Sequence, residues 1–300
     1  MAFRNIIIEN PAQLSLKNKQ LIIKTDSEHS LAVEDISALL IESRASTITA
    51  AALSCLGQSG CAVFVCDEKH MPCAVLEPFS QHSRSLSVLK AQLEASEPLK
   101  KRLWQSVVTA KIANQAKCLS LCGKDEDAAV LMRMSENVRS GDPDNVEALA
   151  AQRYFPALFD DGFSRGSDCV VNSALNYGYA ILRGSVARHL AVYGFVPALG
   201  LHHKSALNSF NLADDIMEPF RPVVDLLVFS LITEDDIDLT PRLKRLLFNS
   251  LNLDILSGGQ HHSVSYAVER LVQSLSRSFF DGKAALCLPE LIEMRQHRYE

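Results

Sequence analysis

The spacing of apolar residues changes once along this chain, and that change limits the folds open to it. Up to about residue 77, short β-favouring runs such as "NIIIEN", "AQLSLKN" and "KQLIIKT" are separated by polar breaks, as expected for half-buried strands. Beyond about residue 85, apolar positions recur at helical spacing, and the clearest stripe consists of Leu103, Val107, Ala110, Asn114 and Cys118. The sequence therefore predicts an α+β fold in which a small N-terminal β-rich domain precedes a larger all-α domain.

The β-rich part is expected to contain one helix and several more strands. "LAVEDISALLIES" continues the strand rhythm, "TITAAALSCLGQSG" predicts a helix closed by Gly57 and Gly60, and "CAVFVCD" and "PCAVLEP" predict two further strands. We place the β-rich domain at residues 1–77, a short polar linker at 78–84 and the helical domain at 85–300. The segments "GKDEDA" and "SGDPDN" predict surface loops in the helical domain.

The charge balance excludes one class of nucleic-acid protein. The chain has 300 residues, 47% of them hydrophobic, and a net charge of −5. This composition supports a sizeable packed core but argues against a generally basic nucleic-acid coat protein. A DNA enzyme whose basic residues are confined to one face remains open, because local potential steers DNA.

Cysteine usage and apolar run lengths indicate a soluble cytoplasmic protein. None of the eight cysteines forms a C-x-x-C pair, and the start "MAFRNIIIEN" lacks the pattern of a signal peptide. We therefore expect buried, reduced thiols. The longest apolar run, "VVDLLVFSLI", is about half a membrane span and contains Asp225, so no membrane association is expected.

Three short segments carry polar residues within apolar surroundings. Glu147 lies early in a predicted helix, where an acid also suits the helix dipole. His202 and His203 follow "ALGL", a context that is also typical of an exposed loop. The segment "DDIMEPFRP" places Asp214 and Glu218 on one helix face with Arg221 close behind, while Pro219 and Pro222 predict a kink or a new helix start.

Carboxylates and one imidazole from separate helices would form a hard, oxygen-rich site. Such a site suits Mg²⁺ or Mn²⁺ better than structural Zn²⁺, and sites of this type most often act on phosphate esters. Residue type and spacing alone leave open whether these side chains meet. A second pair, His261 and His262 in "GGQHHSV", is interpreted as part of a surface loop with no acid nearby.

The same segments resemble a known family. "GLHH…FNLADDIMEPFRPVVD", together with "EALAAQRYFPALF" and "NSALNYGYAILRG", is similar to the motifs of the CRISPR-associated spacer integrases, most closely those of type II systems. The resemblance covers nearly the whole chain, with "LSLKNKQLII", "EDISALLIES" and "FVCDEKHMPCAVLEP" matching the small β domain of the family.

The resemblance implies a particular set of metal ligands and catalytic residues. Carried over motif by motif, these are Glu147, His203 and Glu218, with His203 matching a G-x-x-H pattern counted from Gly200. Many members have aspartate at the position of Glu218. Asp215 is expected to support the ligands, and Arg221 to hold either Glu218 or a DNA phosphate.

The resemblance also implies an activity and its partners. The 3′-hydroxyl ends of a captured spacer duplex attack the CRISPR repeat by direct, metal-dependent transesterification, without a covalent enzyme intermediate. Family members act as homodimers on a dimer of a small ferredoxin-like companion subunit, and in type II systems the effector nuclease also takes part. The alternatives are a free-standing metal-dependent endonuclease acting on branched DNA and a non-catalytic dimeric DNA-binding scaffold.

Two further expectations concern the surface. DNA phosphates require basic residues near the site, and the candidates are Arg165, Arg183, Lys204 and Arg221. Residues 1–77 contain more apolar strand positions than so small a domain can bury, so we expect them to form a two-fold dimer interface. The aromatic residues of the helical part are expected to lie mainly in the core, namely Trp104, Tyr154, Tyr177 and Tyr179.

Overall fold

A computed structural model describes residues 4–76, 85–160, 162–233 and 236–298 of the chain. The predicted fold class is confirmed, since a β-rich N-terminal region is followed by a mostly helical one. The predicted linker at residues 78–84 lies outside the described residues. No helix among the described segments is long and apolar enough to cross a membrane.

Two sheets and one helix make up the N-terminal region. The first sheet has the order β1-β5-β7-β8, with β1, β5 and β7 parallel and β8 antiparallel to β7. The second has the order β4-β3-β2-β6, in which β2, β3 and β4 are antiparallel and β6 runs parallel to β2. The elements are β1 (Arg4–Ile8), β2 (Gln13–Lys17), β3 (Gln20–Lys24), β4 (Glu28–Ala32), β5 (Ile36–Ile41), β6 (Thr47–Ile48), α1 (Ala50–Ser59), β7 (Ala62–Cys66) and β8 (Pro72–Leu76).

Local signals fix the ends of α1. The side chain of Thr49 accepts a hydrogen bond from the backbone N–H of Ala52, as a helix N-cap does. Gly60 ends the helix in the left-handed region, with a φ of 77°. Of the two glycines predicted to close this helix, Gly57 lies inside it and Gly60 terminates it.

The helical region follows the predicted periodicity. In α3, Leu103, Val107, Asn114 and Cys118 are buried and Ala110 is half-buried, which confirms the stripe. The helices are α2 (Ser85–Glu94), α3 (Glu97–Leu121), α4 (Asp125–Glu136), α5 (Val146–Leu158), α6 (Val170–Val192), α7 (Asn211–Met217), α8 (Arg221–Leu231), α9 (Pro241–Phe248) and α10 (Val264–Asp281).

The structure corrects the prediction that "GKDEDA" is a loop. Helix α4 begins at Asp125, so the acidic residues of that segment form its first turn. Negative side chains at a helix N-terminus are favoured by the helix dipole, which explains why an acidic run starts a helix here. The segment "SGDPDN" does form an irregular connection between α4 and α5.

A small sheet also departs from the all-helical prediction for the C-terminal region. Strands β9 (Asp254–Ser257), β10 (Gln260–Ser263) and β11 (Pro289–Glu290) pair in the order β10-β9-β11. His261 and His262 therefore lie on a strand, so the interpretation as a loop was wrong, although His261 is exposed at the surface as predicted. Gly258 and Gly259 both have positive φ and form the two-residue hairpin turn before them. The expectation that no acid lies near this pair was also wrong, because His261 Nδ1 lies 3.9 Å from Asp254 Oδ2.

One apolar core joins the first sheet to the helices. Phe64 of β7 belongs to the same buried cluster as residues from α3, α6 and α8. Its ring packs against Gly184 of α6 so closely that a Cβ at that position would overlap it. A buried ion pair reinforces the junction, with Lys244 Nζ 2.8 Å from Glu42 Oε1. A second apolar cluster lies between the two N-terminal sheets.

The cysteines are free thiols, as expected, but they are not uniformly buried. Cys61, Cys66 and Cys118 are buried, whereas Cys73 is exposed on β8 at the edge of its sheet. The prediction of burial was therefore wrong for Cys73. Cys73 and its neighbour Ala74 are both exposed, because β8 is the edge strand of its sheet.

Candidate functional site

The position of Glu147 is fixed by the turn that precedes α5. The carboxylate of Asp142 accepts hydrogen bonds from the backbone N–H groups of Val146 (2.9 Å) and Glu147 (3.0 Å). These bonds satisfy two donors at the helix N-terminus that have no partner within the helix. The Glu147 side chain, 22% exposed, then faces α3.

Lys111 of α3 lies between two of the predicted site residues. Its Nζ is 2.6 Å from Glu147 Oε1 and 2.5 Å from Glu218 Oε2. Only 9% of the Lys111 side chain is exposed. One ammonium group therefore bridges two carboxylates that are 71 positions apart in the chain.

Glu218 follows α7 and opens a 3-10 turn, Glu218–Phe220, before α8. Pro219 occupies this turn and Pro222 the first turn of α8, where a missing N–H costs little. The predicted break in the helix is thus present. Glu218 Oε1 lies 3.0 Å from Arg221, while the buried Oε2 accepts no well-aligned hydrogen bond from any described residue despite its closeness to Lys111.

Asp215 orients His203. The Nδ1 atom of His203 lies 2.6 Å from Asp215 Oδ1, and the fully buried carboxylate also accepts the backbone N–H groups of Leu201 (2.6 Å) and His202 (3.0 Å). With Nδ1 held by the carboxylate, the second ring nitrogen, Nε2, is the one left to act as a ligand. A Cβ on Gly200 would overlap the backbone oxygen of His203 and lie 2.8 Å from Asp215 Oδ2.

The two neighbouring histidines have different surroundings. The ring of His202 stacks on the buried Trp104, with centroids 4.4 Å apart and an interplanar angle of 4°. His203 meets the same indole edge-on at 5.8 Å. His202 is therefore a packing partner of Trp104, and His203 is the histidine linked to Asp215.

The charges of this cluster stabilise one another. Burial alone would lower the pKa of Lys111, but the charges of Glu218 and Glu147 outweigh it and hold that pKa above its usual range. Burial alone would raise the pKa of Glu218, but Arg221 and Lys111 outweigh it and lower that pKa. The hydrogen bond to Asp215 raises the pKa of His203 against burial, and the charges of Glu218 and Glu147 raise it further. Lys111 and Glu218 are therefore charged at neutral pH.

The side chains of Glu147, His203 and Glu218 are of the type that binds a hard divalent cation, although they do not surround a common position. Among residues 4–76, 85–160, 162–233 and 236–298, no three His, Cys, Asp or Glu side chains meet closely enough to hold a metal ion. Glu147 and Glu218 nevertheless face each other across a cation, the Lys111 ammonium, and one buried Glu218 oxygen has no aligned donor. Two carboxylates and an imidazole nitrogen are ligands that Mg²⁺ or Mn²⁺ accepts.

Three of the four predicted DNA-contact residues converge beside this cluster. Arg165, Arg183 and Arg221 line a cavity of about 290 Å³ together with Asn176 and Tyr179. The guanidinium groups of Arg165 and Arg221 lie 5.4 Å and 4.8 Å from the centroid of the Tyr179 ring. Positive groups are thus concentrated on one side of Glu218.

The partners of these basic residues differ. Arg183 is paired with Asp214 at 2.8 Å, whereas Arg165 donates only to the amide oxygens of Asn172 and Asn176 among the hydrogen bonds of the described chain. Lys204 lies elsewhere, 3.8 Å from Glu97, and lines a separate cavity of about 360 Å³ that also reaches His203.

The aromatic residues named from the sequence are core residues, as predicted. Trp104, Tyr154, Tyr177 and Tyr179 are all buried. The hydroxyls of Tyr154 and Tyr179 both donate to Asp225, a buried carboxylate that the sequence did not single out. Burial raises the pKa of Asp225 to about 6 against the opposing effect of these two hydrogen bonds.

Lys111 is the main residue that the sequence did not reveal as part of the site. The available signal was its position four residues after Val107 on the buried stripe of α3. A lysine on a buried helix face needs a charged partner, but only the folded chain shows which acids supply it.

Comparisons with known proteins show which family the chain resembles. Residues 6–241 match the family model described as "CRISPR associated protein Cas1". A curated relative, "CRISPR-associated endonuclease Cas1" of Neisseria meningitidis serogroup C, is 44% identical over 304 residues, covering 100% of both chains. A relative from Francisella tularensis subsp. novicida is 24% identical and covers 91% of this chain and 95% of its own.

Solved structures share the fold. A casposase bound to integration product matches with a TM-score of 0.77 and 21% identity, covering 95% of this chain and 92% of the other. A Cas1 protein from Thermotoga maritima matches with a TM-score of 0.73 and 18% identity, covering 94% and 99%. The family match spans most of the chain, and the Neisseria relative spans all of it. The chain belongs to the Cas1 family of CRISPR-associated proteins.

Proposed function

We propose that this protein is a metal-dependent DNA integrase of CRISPR adaptation. It would join the 3′-hydroxyl ends of captured spacer DNA to the CRISPR repeat by direct transesterification. Glu147, His203 and Glu218 would hold Mg²⁺ or Mn²⁺ and form the catalytic set. The observation that carries the proposal is the pair of glutamates facing each other across one cation, with His203 oriented beside them by Asp215.

Each residue has a defined task in this scheme. Asp215 holds the Nδ1 proton of His203, so that Nε2 presents its lone pair to the site. Arg221 fixes one oxygen of Glu218, which limits the orientations of that carboxylate. A bound divalent cation would supply Lewis-acid polarisation of the phosphoryl oxygen and activation of the attacking hydroxyl.

The cavity lined by Arg165, Arg183 and Arg221, called the basic cavity below, is proposed to bind the DNA backbone. Guanidinium groups match phosphate oxygens in a bidentate manner, and Arg165, Arg183 and Arg221 converge within one cavity adjacent to Glu218. Lys204 would contact a phosphate on the neighbouring side, next to His203. The similarity of the fold to a solved Cas1–DNA complex and to a casposase bound to integration product supports a DNA substrate.

The partners remain those implied by the family. We propose a homodimer formed mainly by residues 1–77, a small ferredoxin-like companion subunit and the type II effector nuclease. Similar folds occur in chains of the solved Cas6-RT-Cas1–Cas2 complexes, which supports a multi-subunit complex. Sedimentation at micromolar concentration should give twice the chain mass, and a monomer there would contradict the dimer.

A plasmid assay tests the proposed activity. A supercoiled plasmid bearing a CRISPR repeat is incubated with Mn²⁺, the companion subunit and a short duplex with 3′-hydroxyl ends. Covalent transfer of a labelled duplex to the plasmid is expected, and a duplex with 3′-dideoxy ends should not be transferred. Nicking that is equal with both duplexes indicates a free-standing nuclease, and DNA binding without any strand cleavage indicates a non-catalytic scaffold.

Matched variants separate the site from the fold. Glu147→Gln should reduce strand joining by more than about a hundredfold, because it removes one proposed ligand. The half-exposed position of Glu147 makes this change compatible with folding. Glu126→Gln, at an exposed position of α4, is the control and should retain activity. Full strand joining by the Glu147→Gln variant would exclude the proposed site.

A further inference from the structure

We propose that Lys111 is an internal counter-ion that a divalent cation must displace in order to bind Glu147 and Glu218. The inference rests on the proposed function, since it concerns the same two carboxylates. Lys111, which is not itself a proposed ligand, would then determine how tightly the metal ion binds.

Lys111 occupies the position that a metal ion would take. The Lys111 ammonium lies 2.6 Å and 2.5 Å from oxygens of the two proposed ligands. A magnesium ion bound to the same oxygens would sit at about 2.0–2.1 Å from them. The two cations would then compete for the same space and the same lone pairs, so they cannot occupy the site together.

The charge of Lys111 neutralises two carboxylates in nearly buried surroundings. The Lys111 side chain is nearly buried and Glu218 almost entirely so, which means that little water is present to screen them. Without Lys111, Glu147 would lose its close cation and Glu218 would keep only Arg221, so the two facing carboxylates would repel each other with little water to screen them. Lys111 therefore stabilises the metal-free protein and, for the same reason, opposes metal binding.

The ammonium group of Lys111 has a route out of the site. A lysine carries its charge on a flexible four-carbon stem, so the head group can move while the backbone of α3 stays in place. Glu147 is the more exposed of the two carboxylates, with 22% of its side chain accessible against 3% for Glu218. The side of Glu147 thus offers the displaced ammonium the nearer route to water.

Calorimetric titration with Mn²⁺ tests the inference directly. Lys111→Met removes the competing charge, and Lys117→Met makes the same change at an exposed position of the same helix. We expect about tenfold tighter Mn²⁺ binding by the Lys111→Met variant and unchanged binding by the Lys117→Met variant. Equal or weaker binding by the Lys111→Met variant would overturn the inference.

Thermal melting provides a second readout. In the presence of a chelator, the Lys111→Met variant should melt below wild type, because its two carboxylates lack their shared partner. Added Mn²⁺ should then raise its melting temperature by more than it raises that of wild type. A Mn²⁺-induced shift no larger than that of wild type would contradict competition.

Amine labelling of the wild-type protein avoids dependence on a variant that folds poorly. With Mn²⁺ bound, Lys111 should become more reactive towards an acetylating reagent, while the exposed Lys117 should react equally with and without Mn²⁺. Mass spectrometry of the digested protein measures both sites. Binding of Mn²⁺ without increased labelling of Lys111 overturns this inference alone, whereas no Mn²⁺ binding at all overturns the proposed metal site as well.

Discussion

The Asp215 carboxylate joins the Nδ1 atom of His203, at 2.6 Å, to the backbone of the loop that carries this histidine. Its two oxygens also accept the backbone N–H groups of Leu201, His202 and His203. One buried side chain thus sets both the path of the loop and the orientation of the imidazole.

Asp215→Asn should therefore damage stability and the site together. An amide NH₂ group would face backbone donors, at a cost of about 1–3 kcal/mol in unfolding free energy. Mn²⁺ affinity should fall by about 10–100-fold, because His203 loses its orienting partner. Denaturant unfolding and calorimetric titration measure the two effects. Asp281→Asn, at the exposed end of α10, should change neither, and a stable Asp215→Asn variant with wild-type Mn²⁺ affinity would argue against the orienting role.

Gly200→Ala should have a similar effect through sterics alone. The added methyl group would overlap the His203 backbone oxygen and crowd Asp215, so the loop must shift. We expect a lower melting temperature and a loss of strand joining. Gly166→Ala is the matched control, since the nearest atom to a Cβ there is 3.9 Å away. Equal melting temperatures and equal strand-joining rates for the two variants would show that this close approach is unimportant.

Arg165→Ala should weaken DNA binding without leaving an acid unpaired, because the Arg165 side chain donates to amide oxygens. Losing one phosphate contact should lower affinity several-fold and reduce the slope of log affinity against log salt by about 0.9. Fluorescence anisotropy of a labelled duplex across a salt series measures both. Arg139→Ala, at an exposed ion pair outside the cavity, is the control, and an unchanged salt slope for the Arg165→Ala variant would remove Arg165 from the DNA interface.

Asp225 should give the stability of the protein a distinctive pH dependence. Its pKa is raised to about 6 in the folded chain by burial, with the two tyrosine hydrogen bonds acting in the opposite direction. Because the pKa of Asp225 is higher in the folded chain than in the unfolded chain, protonated Asp225 stabilises the fold. This contribution to the unfolding free energy is complete below the ordinary aspartate pKa near 3.9 and is lost as pH rises through about 6.

Removing this group should flatten that part of the pH profile. The difference in unfolding free energy between wild type and Asp225→Asn should change by about 2–3 kcal/mol between pH 4 and pH 7, in the direction that disfavours wild type at the higher pH. Urea unfolding at several pH values measures it. A difference that does not vary with pH would show that Asp225 titrates normally in the folded protein.

The sequence was informative wherever a signal was local. Gly60 was predicted to close α1 and does terminate it, and the stripe from Leu103 to Cys118 predicted α3. The motifs around Glu147, His203 and Glu218 identified residues that the fold brings to one region, although their role as metal ligands stays a prediction. Strands β9 and β11 were missed because they are four and two residues long and carry little periodicity.

Contacts between distant segments were the part that the sequence did not show. The bridge from Lys111 to Glu147 and Glu218 depends on the packing of α3 against α5 and the turn before α8. The acidic start of α4 was mistaken for a loop because the composition of a helix N-terminus resembles that of a turn. His261 and His262 were misplaced because the glycines before them form a tight hairpin turn rather than a loose loop.

The packing of Phe64 into the space left by Gly184 has a mechanical consequence. Helix α6 rests directly on the first sheet at this point, and the residue preceding the glycine is Arg183 of the basic cavity. The Phe64 ring fills the space beside Gly184, so the first sheet and helix α6 are closely packed at this point. A partner that tilts the first sheet would therefore also displace Arg183, so binding at the N-terminal region would be transmitted to the arginines that we propose to contact DNA.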